Sequence, residues 1–206
     1  MTITPADITV TTPYGNDGQL GKALNHAMET APTEWVLLHD DDVLLKLHPN
    51  WRAICAAAIN AYPDAGLFFP WVTALMASRT TPRNEIVPPD APEPLEPMRK
   101  HIDFARKIWD RHGWSVTEIP DAQIGGAVHL TSKRAWVAAG GYPGVGIFGE
   151  DHGYCRALTA AGFVICRIDG LYVYHMGSGK GHREPSWIDG YKTTHEMHKE
   201  ARKAKQ

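Results

Sequence analysis

Cysteine is scarce in this chain of 206 residues, which contains only Cys55, Cys155 and Cys166. None of them forms a Cys-x-x-Cys pair, and an odd number argues against the disulfide framework of small secreted proteins. The chain also lacks an apolar run approaching the roughly 20 residues that cross a bilayer. Its first residues lack a basic segment followed by an apolar core. We therefore expect a cytoplasmic protein without a membrane span.

A strong excess of charge is missing as well. The formal net charge is −2, so the chain has no overall basic field for nucleic acid. An apolar fraction of 43% with 21% charged residues is ordinary for a globular protein and excludes extended disorder. We expect one domain over residues 1–206. Residues 183–206 predict a basic, helical C-terminal tail, which is either a solvated helix end or, less favoured, a contact to nucleic acid.

Strand and helix patterns alternate from the start of the chain. A β-branched run from Ile8 to Pro13 predicts a strand, residues 18–31 carry apolar side chains at helical spacing, and residues 34–39 predict a buried strand. A strand, helix and strand of these lengths are typical of a parallel crossover. We therefore expect an α/β fold whose ligands bind at the carboxyl ends of the parallel strands.

One proline-rich segment interrupts this alternation. Residues 79–97 contain six prolines in 19 positions, which excludes a helix or an interior strand. Together with the helix that follows, residues 79–113 predict an insertion that is either a lid or a passive surface loop. Beyond it the sequence predicts a strand at residues 128–130, a helix that opens at residue 150 and two short strands within residues 164–175.

Three consecutive aspartates, Asp40, Asp41 and Asp42, follow the second strand. Like charges repel, and a carboxylate that faces the interior needs a partner, which a bound cation would supply. In an extended segment Asp40 and Asp42 lie on one face, where they can share a hard divalent cation, and Asp41 lies on the other. The alternative is a solvated, Asp-rich turn that caps the next helix.

Glu150 and Asp151 are predicted to open a helix directly after Gly149. Free N–H groups and the helix dipole favour carboxylates at that place, so an N-terminal cap explains one of the two. The other is available as a general base if it faces a cleft.

His175 ends the last predicted strand and precedes a glycine-rich loop at residues 176–182. Imidazole suits manganese-like ions beside carboxylates. The glycines let the backbone approach phosphate, and Ser178 and Lys180 offer a hydroxyl group and a positive charge. A single histidine after an aromatic strand is more often structural, and only its neighbours in this pattern favour a ligand.

In their order along the chain, these motifs resemble those of GT-A glycosyltransferases of the large family-two type. The matching stretches are strand-Pro-Tyr-x-Asn, GKALNHA, WVLLHDDDV, GGYPGVGIFGEDHGYCRAL and VYH, between Ile8 and about His182. Such enzymes carry a D-x-D motif at a strand end, a Gly-Gly-aromatic turn before a Glu-Asp helix start, and a late histidine. The resemblance implies a GT-A fold with a mostly parallel central sheet flanked by helices.

The resemblance also implies roles for single residues. Asp40 and Asp42 match the D-x-D pair, the first near the nucleotide ribose and the last on Mn²⁺ or Mg²⁺, and both are candidate metal ligands with His175. Asp151 matches the base on the acceptor hydroxyl, and Glu150 matches its neighbour in acceptor binding. The candidate nucleotide-binding residues are Thr12, Pro13, Tyr14, Asn16, Lys22, Asn25, Asp40, Asp41, Ser178 and Lys180.

The expected activity is metal-dependent transfer of a sugar from a nucleoside-diphosphate sugar, with a UDP-sugar favoured, to a hydroxyl group of a glycan or small molecule. Family members usually have two strand-helix units before the D-x-D strand, whereas this chain has room for one. Two alternatives stay open. One is metal-dependent phosphoryl or nucleotidyl transfer, in which Asp151 would bind a second ion. The other is a non-catalytic GT-A scaffold that binds a nucleotide sugar.

Overall fold

The computed structural model describes residues 2–13, 19–73, 83–144 and 150–176 of the chain. Within these ranges seven strands form a mixed open sheet that is flanked by five helices. The strands are β1 (Ile8–Thr11), β2 (Trp35–His39), β3 (Val43–Leu44), β4 (Ala65–Val72), β5 (Val116–Glu118), β6 (Val128–Ser132) and β7 (Val164–His175). The helices are α1 (Leu20–Thr30), α2 (Trp51–Ala61), α3 (Met98–His112), α4 (Lys133–Ala138) and α5 (Glu150–Ala160).

The sheet confirms the α/β class but corrects the expected strand directions. Its order is β1-β2-β6-β4-β7-β3, and β5 pairs with β7 beside this path. β1 is parallel to β2 and β4 is parallel to β7. β6 is antiparallel to β2 and β4, and β3 and β5 are antiparallel to β7. The expectation of a mostly parallel sheet is therefore wrong for the described residues, because side-chain periodicity does not encode the direction of a strand.

The central strands are apolar because the sheet is covered on both faces. Every residue of β4 is buried, as are all residues of β7 except the first. The largest fully buried side chains include Met28 of α1, Ile54 of α2 and Phe68 of β4. All three cysteines are free, in agreement with their odd number, and all three are buried. No helix among the described residues is long and apolar enough to cross a membrane.

β7 is one long strand where the sequence predicts two short ones. Its register with β4 shifts after Pro70, since Pro70 pairs with Ile168 whereas Trp71 pairs with Tyr172. Proline has no N–H group to donate to the ladder and is found at such irregularities. A Cβ atom at Gly170, inside the irregular part of β7, would overlap the backbone carbonyl of Gly113. The strand thus continues through a local bulge to the edge where it delivers His175.

Hydrogen bonds join the described part of the predicted insertion, residues 83–113, to the sheet. Arg167 of β7 donates through Nη1 to the carbonyl oxygen of Glu85 at 3.1 Å and to its carboxylate at 2.6 Å. The Tyr174 hydroxyl donates to the carbonyl oxygen of Pro94 at 2.9 Å. The helix predicted after the prolines is α3, and the residue that caps it, Gly113, has a φ of 54°, a conformation that favours glycine. Residues 79–82 lie outside the described part of the chain.

Candidate metal centre

Asp40, Asp42 and His175 each bring one ligand atom within 4.8 Å of the other two. His175 Nε2 lies 3.2 Å from Asp42 Oδ1 and 3.8 Å from Asp40 Oδ2. Ligand atoms at about 2.1 Å from an octahedral cation are about 3 Å apart when adjacent and about 4 Å apart when opposite. Two carboxylates and one imidazole at these separations fit a Mn²⁺-like or Mg²⁺-like ion.

A tight turn between β2 and β3 places the two aspartates. β2 ends at His39, and the N–H group of Val43 donates to the carbonyl oxygen of Asp40 at 3.3 Å. Asp40 and Asp42 therefore converge while Asp41 is exposed, as expected. The cause differs from the expectation, because a turn rather than side-chain alternation along a strand brings the two carboxylates together.

The pairing of β3 with β7 brings His175 to this turn. Val43 is the register partner of His175, and the N–H group of Met176 donates to the carbonyl oxygen of Asp42 at 3.2 Å. β2 and β7 also run in the same direction, since both are linked through β6 and β4. Residues more than 130 positions apart in the chain thus meet at one edge of the sheet, where its parallel strands end.

The electrostatics of this edge favour a positive partner. The pKa of Asp40 is raised to about 6, mainly by burial and also by the carboxylates of Asp42, Asp41 and Glu150, while His175 opposes the shift. A bound divalent cation would reverse this tendency, because it favours the ionised form of every carboxylate around it.

Two more carboxyl groups lie beside this centre, at the first turn of α5. The side chain of Glu150 is buried, and Glu150 Oε2 and Asp151 Oδ1 have no hydrogen-bond partner among the described residues. Burial raises the pKa of Glu150. It also raises the pKa of Asp151 to about 8, with further contributions from the charges of Glu150 and Asp40 and opposition from the backbone of Gly126. Both carboxyl groups are therefore more stable when protonated or beside a positive charge than as isolated carboxylates.

The Gly-Gly-Tyr-Pro turn fixes α5 by close packing. A Cβ atom at Gly153 of α5 would lie 2.6 Å from Cγ of Pro143, and one at Gly21 of α1 would overlap the carbonyl group of Pro143. Pro143 therefore fits between two helices only because both present a glycine to it. Glycine inside a helix is unfavourable because it loses more conformational entropy on folding than other residues. The close approach of Pro143 explains why glycine nevertheless stands at these two positions.

Asn25 ties the same turn to α1. Its Oδ1 accepts from the indole N–H of Trp136 at 2.8 Å and from the N–H group of Tyr142 at 2.7 Å, and its Nδ2 donates to the carbonyl oxygen of Tyr142 at 2.9 Å. The side chain thus makes three structural hydrogen bonds. A contact between Asn25 and a nucleotide stays a prediction.

The structure also describes three other candidate nucleotide-binding residues, Thr12, Pro13 and Lys22. Thr12 is exposed, with its hydroxyl oxygen 3.3 Å from Nε2 of His39. Pro13 is partly buried and Lys22 is exposed on α1. The candidates outside the described residues are Tyr14, Asn16, Ser178 and Lys180, and the predicted tail at 183–206 also lies outside them.

A buried polar network behind α5 was not predicted from the sequence. The Thr131 hydroxyl donates to the carbonyl oxygen of Gly66 at 2.6 Å, so its oxygen accepts from the Tyr154 hydroxyl at 2.7 Å. Tyr142 stacks on Tyr154 at a ring-centroid distance of 4.0 Å, and its hydroxyl lies 3.1 Å from Nδ1 of His129. Burial lowers the pKa of His129 to about 4. The sequence signal for this network was the alternation of polar His129 and Thr131 with apolar Val128 and Leu130 along β6.

Comparison with known proteins adds no family to this geometry. No protein-family model matches the chain, and no curated protein matches it.

Proposed function

We propose that this protein is a metal-dependent glycosyltransferase of the GT-A type that moves a sugar from a nucleoside-diphosphate sugar, with a UDP-sugar favoured, to an acceptor hydroxyl. One observation carries the proposal: the ligand atoms of Asp40, Asp42 and His175 converge beside the buried carboxyl groups of Glu150 and Asp151. A diphosphate leaving group needs the first set and an acceptor hydroxyl needs a proton acceptor such as the second.

The triad supplies the ligands for a hard cation. Mn²⁺ or Mg²⁺ held there would offset the negative charge that develops on the nucleoside diphosphate as it leaves. The N–H group of Asp40 is bound to the carbonyl oxygen of Ala127 at 3.0 Å, and Val43 is paired with His175. Backbone hydrogen bonds therefore hold the ligand residues in place, Asp40 against Ala127 and the β3 end of the turn against His175. Binding of a cation then requires little reorganisation of these residues.

Asp151 is the proposed base. In the transfer step the acceptor oxygen forms a bond to the anomeric carbon, the bond from that carbon to the diphosphate breaks, and the hydroxyl proton passes to the Asp151 carboxylate. Burial raises the pKa of Asp151 to about 8, so its ionised form is a stronger base than an exposed aspartate, and a cation bound nearby would favour that ionised form. Glu150 beside it is proposed to contact the acceptor.

The two alternatives are less well supported. Phosphoryl transfer with two cations would need Asp151 as a metal ligand, yet among the described residues the only group of three or more side chains with metal-ligand separations is Asp40, Asp42 and His175. A purely binding scaffold would have no use for carboxyl oxygens buried without a partner, because such burial is unfavourable.

Calorimetric titration with UDP, with and without Mn²⁺, tests the proposal. We expect binding that requires the cation and that Asp42→Ala abolishes. The matched control is Asp64→Ala, because Asp64 is exposed and precedes β4 at the opposite end from the candidate centre. UDP-sugars are then screened for transfer to glycans and small hydroxyl compounds. Absence of cation-dependent binding of UDP, GDP, dTDP and CDP would overturn the proposal.

A further inference from the structure

The carboxyl group of Asp151 lies against the backbone of Gly126. An ideal Cβ atom at Gly126 would be 2.7 Å from Cγ and 2.9 Å from Oδ2 of Asp151, and closer still to Oδ1. Real Cβ atoms essentially never make contacts under 3.0 Å. Any side chain at position 126 would therefore displace the carboxyl group.

Glycine at position 126 is not explained by backbone conformation. The described glycines with positive φ are Gly113, Gly140, Gly141 and Gly162, and Gly126 is not among them. The φ of Gly126 therefore lies outside the left-handed region that favours glycine, so that region does not exclude alanine here. The atoms that would have to move are at the end of a flexible side chain, so the fold itself can accommodate the change. The group that a side chain at position 126 would displace is the Asp151 carboxyl group.

Ala127, which follows Gly126, contacts the candidate metal centre. The carbonyl oxygen of Ala127 accepts from the N–H group of Asp40 at 3.0 Å, and β6 begins directly after it with Val128 paired to His39. Ala127 is itself buried. The dipeptide 126–127 therefore contacts the proposed base on one side and a proposed metal ligand on the other.

We propose that Gly126 is a positioning residue, which lets the Asp151 carboxyl group lie against the same backbone segment that holds Asp40. The spacing between proton acceptor and metal centre is then set by two adjacent residues. Gly126 acts through Asp151, and this inference rests on the proposed function because it takes Asp151 as the base.

Gly126→Ala is the variant that tests this role. Displacing a reacting group by about 1 Å costs about 100-fold in rate, so we expect kcat for sugar transfer to fall about 100-fold. The affinity for UDP with Mn²⁺ should stay as in the unsubstituted protein, because the cation ligands are untouched. Gly144→Ala is the matched control, since a Cβ atom there meets nothing within 4 Å.

The same substitution in the Asp151→Asn background separates positioning from a general structural effect. We expect Gly126→Ala to cause no further loss of kcat once the base is absent. Unchanged kcat in Gly126→Ala, an equal loss in both backgrounds, or loss of UDP binding would each overturn the inference.

Crystal structures of both forms decide the placement without any activity measurement. We expect the Asp151 side chain to be rotated away in Gly126→Ala while the backbone is unchanged, and an unmoved carboxyl group would overturn the inference. If Gly126→Ala fails to fold, Asp151→Ala should restore folding, and failure to do so would overturn it as well. If the unsubstituted protein binds no nucleoside diphosphate and transfers no sugar, the proposed function fails, while the crystal comparison still decides whether Gly126 sets the position of Asp151.

Discussion

Replacing Asp151 with asparagine should stabilise the cation-free protein at alkaline pH. Burial raises the pKa of Asp151 from 3.8 to about 8. Between these values the folded chain binds one more proton than the unfolded chain, so the free energy of unfolding falls as the pH rises. The contribution of this group is complete below about pH 4 and is lost as the pH passes about 8. Asparagine carries no charge at any pH and escapes this loss.

The size of the effect follows from the shift. Between pH 5 and pH 8.5 the folded chain holds the extra proton over about three pH units, up to the pKa of about 8, and three units at 1.36 kcal/mol each give about 4 kcal/mol as an upper limit. Polarisation of the surroundings and water at the cleft reduce the cost of the buried charge, because even buried groups behave as in an effective dielectric of about 20. We expect Asp151→Asn to gain about 1 to 3 kcal/mol at pH 8.5 relative to pH 5.

Urea unfolding in EDTA at pH 5 and pH 8.5 measures this gain. Asp64→Asn, at an exposed site, should show no such dependence on pH. Addition of Mn²⁺ should reduce the difference between Asp151→Asn and the unsubstituted protein, because a nearby cation favours the ionised aspartate. Equal destabilisation by Asp151→Asn at both pH values would refute the reasoning, since it would mean that the charged carboxylate makes favourable contacts in the folded state.

Three further substitutions test the parts of the site separately. His175→Ala should weaken Mn²⁺ binding at least about 10-fold by calorimetry, whereas the exposed His26→Ala should not, and equal affinities would remove His175 from the centre. Asn25→Ala should cost about 2 to 3 kcal/mol in urea unfolding, because three hydrogen bonds are lost. Unchanged stability with lost UDP binding would instead make Asn25 a nucleotide contact. Tyr154→Phe should lower the free energy of unfolding by about 1 kcal/mol in the same assay. The loss is limited to one hydrogen bond because Thr131 still donates to the carbonyl oxygen of Gly66. An unchanged urea midpoint would contradict the assigned network.

Much of the site could be anticipated because it lies at strand ends. The sequence predicts a strand before Asp40 and another before His175. Because parallel strands end at one edge of a sheet, it also predicts that the two residues lie at the same edge. The structure brings those residues together. The turn that joins Asp40 to Asp42 was not anticipated, because a short acidic segment fits an extended conformation and a turn equally well.

The rest depends on contacts between distant parts of the chain. The direction of β6 is set by how the chain returns to the sheet after α3 and β5, which side-chain periodicity does not record. The roles of Gly126 and Asn25 depend on Asp151 and Tyr142, which lie 25 and 117 positions further along the chain. No local pattern distinguishes such a glycine or asparagine from one in an ordinary loop or helix.

A crystal structure with UDP and Mn²⁺, with anomalous data collected at the manganese edge, would show whether Asp40, Asp42 and His175 hold the cation and the diphosphate. We expect one anomalous peak at about 2.2 Å from ligand atoms of Asp40, Asp42 and His175, with diphosphate oxygens completing the coordination and the Asp151 carboxyl group facing the place of the acceptor. A manganese ion bound elsewhere, or a diphosphate remote from these three residues, would contradict it.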